Sequence, residues 1–189
     1  MTHILPLKIL YINLMKHLNE YIKPKVNIMV GRFQPFTGGH LKCVETIQKQ
    51  TGNPVIICMI ETKESKLDEK HPFPSSFLLN WYKKLPIKDI VLVKNADITK
   101  IAEQLNEYQI SGWVAGTDRY DSYKKMAERY GDCLSDDFQM LEIPRTDEDI
   151  SASKVRELIK EDNFEEFKKF SPIKSSTYYQ GLRKYMLAL

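Results

Sequence analysis

Short apolar runs alternate with amphipathic stretches along most of the chain. Lys25–Val30 (KVNIMV), Pro54–Ile60 (PVIICMI), Asp89–Lys94 (DIVLVK), Gly112–Ala115 (GWVA) and Phe138–Ile143 (FQMLEI) predict five strands. Helices are expected at about His40–Gln50, Ser76–Leu85, Thr99–Tyr108 and Ser122–Tyr130, and then at Ser153–Lys160, Glu165–Phe170 and Thr177–Leu187. Apolar strands joined by helical crossovers predict an α/β fold, an open, mostly parallel five-stranded sheet with helices on both faces. Ligands of such sheets bind beyond the carboxyl ends of the strands, where the strand order reverses.

A separate pattern precedes the first strand. Ile4, Leu7, Leu10, Tyr11, Leu14, Leu18, Tyr21 and Ile22 recur at three- and four-residue steps, and Pro24 follows. This predicts an N-terminal amphipathic helix as an extension (1–24) ahead of the main domain (25–189). Its apolar face is expected to pack on its own domain, with docking to a partner chain as the alternative. Few basic residues flank that face, which argues against a membrane-surface role. Lys8, Asn13, Lys16 and His17 break the run and no small-residue cleavage site follows, so a signal peptide is not expected.

Composition narrows the classes. The 28 basic and 25 acidic residues leave a net charge of +3, too balanced to make nucleic acid the main partner. No apolar run reaches the ~18–20 residues of a membrane span. Cys43, Cys58 and Cys133 are odd in number and widely spaced, which argues against a disulfide framework or a zinc site and fits a reducing cytoplasm. Cys43 and Cys58 lie in apolar runs and are expected in the core. His3, His17 and His71 have no partners at metal-ligand spacing, and no resident metal site is expected. Asp136–Asp137 and Asp147–Glu148–Asp149 read as solvated loops.

The segment GRFQPFTGGH, Gly31 to His40, joins the first strand to the first helix. Gly31 is expected to permit a sharp turn, Pro35 to stiffen the loop, and Gly38 and Gly39 to allow close backbone approach. The helix start offers unpaired N–H groups and a positive dipole end to an anion. Thr37 can cap that helix, His40 lies in its first turn, and Arg32 adds a fixed charge. No Gly-Lys-Ser/Thr follows, so this is not a P-loop. A second anion-binding helix start is expected in ISASKVRELI, Ile150 to Ile159. There Ser151 or Ser153 caps, Lys154 and Arg156 carry charge, and Val155, Leu158 and Ile159 face the core.

Together these segments resemble the two signatures of the HxGH nucleotidyltransferase superfamily, the cytidylyltransferase-like proteins. Gly31, Arg32, Phe33, Gln34 and Pro35, then Thr37, Gly38, Gly39 and His40, match G-x-F-x-P followed by T-x-G-H. Ile150, Ser151, Ser153 and Arg156 match I-S-x-T-x-x-R, with Ser153 where Thr is usual. The opening GRFQPF is closest in style to nicotinamide-mononucleotide adenylyltransferases. The SASK-x-R segment with the Phe164–Phe167 run is similar to phage-encoded cytidylyltransferase-like proteins. KHPFPSSF, from Lys70, resembles an N-P-F-T element of the archaeal adenylyltransferases, without the G-E-R run that follows it there. The resemblance implies a Rossmann-like fold and transfer of AMP from ATP to a phosphorylated acceptor, with magnesium carried by the triphosphate. It implies that His40 stabilises the transition state, that Thr37, Gly38 and Gly39 hold the nucleotide, and that Ser151, Ser153 and Arg156 hold the outer phosphates. Arg32 and Lys42 would assist. Gly116 to Arg119 resembles the G-S-D or G-D-R element after the fourth strand, where Asp118 and Arg119 would meet the acceptor or nucleotide; a plain turn with a helix cap at Asp121 is the alternative. Trp81, Trp113 and the Phe164–Phe167 run are expected to pack rather than react.

Nicotinamide mononucleotide is the first acceptor expected, with cytidylyl transfer as the alternative. A non-catalytic binding or structural protein on the same fold is the competing class, motivated by Thr37 in place of the first motif histidine. Retention of His40, both serines and Arg156 counts against it. The extra apolar helix makes self-association an expectation.

Overall fold

The computed structural model describes residues 23–143 and 151–189, together with Ile9, Tyr11, Leu14 and Met15. Five strands, β1 (Lys25–Gly31), β2 (Val55–Ile60), β3 (Asp89–Val93), β4 (Gln109–Gly116) and β5 (Gln139–Ile143), form one sheet in the order β3-β2-β1-β4-β5. Every neighbouring pair is parallel. The chain winds outward from β1 to β3 and then returns to the other side of β1. The order therefore reverses between β1 and β4, and their carboxyl ends make the crevice where such sheets bind ligands.

The strands are apolar because both faces are covered. Val55, Ile57 and Met59 of β2 face one core, and Ile56 and Cys58 face the other. On the first face lie α1 (Gly38–Thr51), α2 (Ser75–Tyr82), α5 (Ala152–Lys160), α6 (Phe164–Phe170) and α7 (Ser176–Leu187), through Val44, Leu78, Val155, Phe167 and Leu182. On the second lie α3 (Ile98–Gln104) and α4 (Thr117–Arg129), through Ile98, Ile101 and Ala127. Trp113 is fully buried there against Tyr123, and Phe167 is fully buried on the first face, so both pack as expected. Cys58 is also fully buried, and burial pushes its thiol up to about 12.

Boundaries moved where the sequence carries little periodicity. β4 begins at Gln109 rather than Gly112, because the Gln109 N–H donates to the Pro24 carbonyl and the Ser111 hydroxyl to that of Val26. α4 begins at Thr117, directly out of β4, rather than near Ser122, so Asp118 sits in its first turn and the alternative cap at Asp121 does not form. Of the N-terminal extension, Ile9, Tyr11, Leu14 and Met15 are helical and exposed. The rest of that predicted helix lies outside the described residues, as do Asp147–Glu148–Asp149 and Ile150. Among the described residues no helix is long and apolar enough to cross a membrane.

Gly112 lets β1 and β4 approach past a register shift at Val26/Asn27. A Cβ there would lie 2.3 Å from Asn27 Oδ1 and 2.6 Å from Leu141 Cδ1. Asn27 cannot easily give way, since its Nδ2 donates to Thr51 Oγ1 and the Asn53 carbonyl. Gly112→Ala is expected to cost about 1–3 kcal/mol in a urea melt, the usual range for overpacking. An unchanged midpoint would mean the strands separate freely at this point.

Candidate active site

The first predicted segment spans the end of β1 and the start of α1. The sharp turn falls at Phe33 (φ 50°), not at Gly31, which corrects the expectation for that glycine. Gly31 instead leaves room for the folded-back Phe33 ring, which a Cβ there would meet at 3.1 Å. Two buried side chains hold the turn. Tyr82 Oη donates to the Phe33 carbonyl (2.8 Å) and accepts from the Phe36 N–H (2.7 Å), and its burial keeps the phenol well above its ordinary pKa. Gln34 uses its whole amide: Nε2 donates to the Phe73 carbonyl (2.8 Å), and Oε1 accepts the Phe73 N–H (3.0 Å).

Thr37 caps α1 in reciprocal fashion. The His40 N–H donates to Thr37 Oγ1 (3.4 Å), and the Thr37 N–H donates to His40 Nδ1 (2.9 Å). Histidine thus takes the part that Glu or Gln plays in the usual capping box. Since Nδ1 accepts, a neutral imidazole carries its proton on Nε2. Phe33 and Phe36 pack against the ring, each with centroids 5.2 Å from it, and fix its plane.

Ser151 caps α5, accepting from the Lys154 N–H (3.2 Å), while Val155, Leu158 and Ile159 anchor the helix in the core as expected. Arg156 ties this helix to the first segment. Nη1 donates to the Gln34 carbonyl (2.6 Å), and Nη2 donates to Ser153 Oγ (3.0 Å). Partial burial lowers the Arg156 pKa, and the charges of Asp68 and Glu157 oppose that effect.

A cavity of about 690 Å³ opens at the carboxyl ends of β1 and β4. Gly31, Arg32, Phe33, Thr37, Gly39, His40, Asp118, Arg119, Ser151 and Ser153 all reach its wall, although they come from three distant parts of the chain. Three predicted site residues stand elsewhere. Gly38 packs against the Phe170 carbonyl, which a Cβ would approach to 3.3 Å. Lys42 is exposed on α1, and Arg156 sits behind the wall on Gln34. Cys43 and His71 reach the wall although neither was anticipated there. Cys43 is half-buried on the cavity rather than in the core. His71 is also on the wall; the HPFP segment was the available signal, because Phe73 is the residue Gln34 grips. A larger hollow of about 900 Å³ lies where β1 and β4 begin, lined by Lys25, Asp137 and their neighbours. None of the predicted site residues among the described ones reaches it.

The sheet order, the capped turn after β1 and the capped helix after β5 define an open α/β domain with two helix starts converging on one cavity. The chain belongs to the cytidylyltransferase-like family, whose model matches residues 28–158. Its fold is similar to that of Plasmodium falciparum nicotinic acid mononucleotide adenylyltransferase complexed with NaAD (TM-score 0.59, 15% identity, covering 86% of this chain and 97% of that one). It is also similar to Thermotoga maritima TmcAL bound with alpha-thio ATP (TM-score 0.57, 12% identity, covering 87% of this chain). This chain spans 56% of the TmcAL chain. No curated protein matches by sequence.

Proposed function

We propose that the protein transfers AMP from ATP to a phosphorylated acceptor, nicotinamide mononucleotide first, with release of pyrophosphate. The carrying observation is the Thr37–His40 capping box, which orients an Nε2–H donor at the start of α1, on the same cavity as Ser151 and Ser153. An acceptor phosphate oxygen attacks the α-phosphorus. The bond to the bridging oxygen of the β-phosphate breaks, and its electron pair leaves with pyrophosphate. His40 Nε2–H donates to the α-phosphate oxygen as charge builds, and the first amides of α1 add their N–H groups. No covalent protein intermediate is needed, because catalysis of this kind rests on positioning and charge stabilisation.

Magnesium, when bound, neutralises charge shared between phosphate oxygens. Among the described residues no three His, Cys, Asp or Glu side chains are grouped to hold a metal. Asp118 brings a carboxylate to the cavity wall, where it would meet an ion carried on the triphosphate.

ATP is favoured by the adenylyltransferase and the ATP-analogue complex among the proteins of similar fold. CTP is the second reading, because the family model is cytidylyltransferase-like. Pyrophosphate release with magnesium, ATP and nicotinamide mononucleotide tests the first reading. CTP in place of ATP, and other phosphorylated acceptors, test the second. Silence with every pair would leave a non-catalytic member of the family.

A further inference from the structure

The segment between β2 and α2 belongs to neither predicted signature, yet it is fastened to the first one. The Thr62 N–H donates to Ser75 Oγ at 2.7 Å, and Gln34 grips both backbone groups of Phe73. Between these anchors Asp68 closes a turn. Its Oδ1 accepts the N–H groups of Lys70 (2.8 Å) and His71 (2.7 Å). The backbones of Asp68 and His71 also exchange hydrogen bonds, 3.1 Å from the His71 N–H and 3.4 Å in the other direction. The turn thus fixes both residues before any ligand is present. The Asp68 carboxylate meets His71 Nδ1 at 3.1 Å, and these bonds hold its carboxyl below the ordinary pKa, the His71 side-chain bond being the largest cause. Facing a carboxylate, Nδ1 carries the proton of the neutral ring, and Nε2 keeps its lone pair.

That lone pair faces a cation. Arg32 Nη1 lies 3.5 Å from His71 Nε2, at the long end for a hydrogen bond, with the guanidinium as donor. Both residues stand on the wall of the cavity at the carboxyl ends of β1 and β4. Arg32 is exposed, and among the described residues His71 Nε2 is the acceptor within reach of its guanidinium. An exposed arginine otherwise spreads over many rotamers, and that freedom is lost when it meets an anion. A fixed acceptor removes part of the cost in advance. The acceptor is also neutral: an imidazole orients the guanidinium and leaves its charge available, whereas a carboxylate in the same place would cancel it. Asp68 keeps its carboxylate one residue further back, spent on its own turn.

We infer that His71 is a positioning residue, which Asp68 orients so that Nε2 accepts from Arg32 and holds that guanidinium on the cavity wall. His71 donates nothing to the substrate; it acts through Arg32. What Arg32 is held for rests on the nucleotide reading of the cavity.

The first arm of the test uses the free full-length chain. Nitrogen-15 NMR of the histidine rings in mildly alkaline buffer, with His71 assigned by its loss in His71→Gln, is expected to show the proton on Nδ1. Asp68→Asn should shift the ring toward the other tautomer. A wild-type ring protonated on Nε2 overturns the inference. The second arm reads pyrophosphate release over the nucleotide concentration range. His71→Ala is expected to raise the nucleotide KM by about three- to tenfold, the worth of one hydrogen bond, with kcat little changed. His71→Gln should recover most of the loss, because its amide can donate to Asp68 and accept from Arg32, which a purely packing role would not predict. In an Arg32→Ala background His71→Ala should add nothing further. Thermal melts check that each variant is folded. Additive losses from His71→Ala and Arg32→Ala overturn the inference, and so does a folded His71→Gln as impaired as His71→Ala. A wild type with the Nδ1 proton that binds neither ATP nor CTP removes the nucleotide reading and leaves the orientation of Arg32 standing.

Discussion

His40→Ala is expected to lower turnover by about two to three orders of magnitude, the usual loss for one preorganised donor at a developing oxyanion. The geometry explains why the loss should be in kcat more than in nucleotide affinity. The Thr37 N–H holds Nδ1 at 2.9 Å, so in the neutral ring the donor is Nε2. Phe33 and Phe36 hold its plane, so the donor is in place before charge appears. The variant also loses half of the capping box, which should cost only about 1 kcal/mol of stability. His40→Asn offers an amide in place of the imidazole and should recover some of the cap but little of the rate. Pyrophosphate release, run beside a thermal melt and ATP titration, separates the effects. A folded His40→Ala protein with normal turnover would sink the assigned role.

The second large effect is expected at Arg156, and its form differs from what the motif alone suggests. Its guanidinium does not line the cavity wall; it bonds the Gln34 carbonyl, 122 residues away in the chain, and Ser153 Oγ. Arg156→Ala should therefore disturb both segments at once. Ser153 loses its orientation, and the turn through Phe33 and Gln34 loses a tie. A charge-assisted hydrogen bond is worth about 1.5–3 kcal/mol, so kcat/KM for the nucleotide should fall by about 10- to 100-fold. Stability should drop by about 1 kcal/mol, because Tyr82 and the Gln34 amide still hold the turn. Arg156→Lys should rescue little, since one ammonium cannot span both acceptors in the fork geometry. Steady-state kinetics over the nucleotide concentration range decides the point. Wild-type kinetics in Arg156→Ala would show that the bridge is dispensable.

Much of this was legible in linear form. The five strands lay in contiguous apolar runs, and the Thr37 and Ser151 caps were written within three or four residues of their partners. A cap is a short-range bond, so residue types and spacing suffice to place it. The same holds for Val155, Leu158 and Ile159, whose spacing alone marks the buried face of α5. Harder features had no local signal. The start of α4 at Thr117 was hidden because TDRYDSYKKM is polar and offers no apolar period to mark a first turn.

What depends on contacts between distant segments had to come from the folded chain. Gly31 looked like the turn residue, but the left-handed backbone falls on Phe33 because Tyr82, 49 residues away, binds its carbonyl. Arg156 was expected at the outer phosphates; the folded chain adds that its guanidinium bonds the Gln34 carbonyl and Ser153 Oγ. His71 looked isolated until Gln34 fastened the neighbouring Phe73 to the first segment. Residue order therefore carries the elements, their caps and the family signatures, because each arises within one turn of helix or one strand. Which side chains line the cavity, and which stand behind it, follows from strand order and buried hydrogen bonds between segments tens of residues apart. Those contacts exist only once the sheet has brought the segments together.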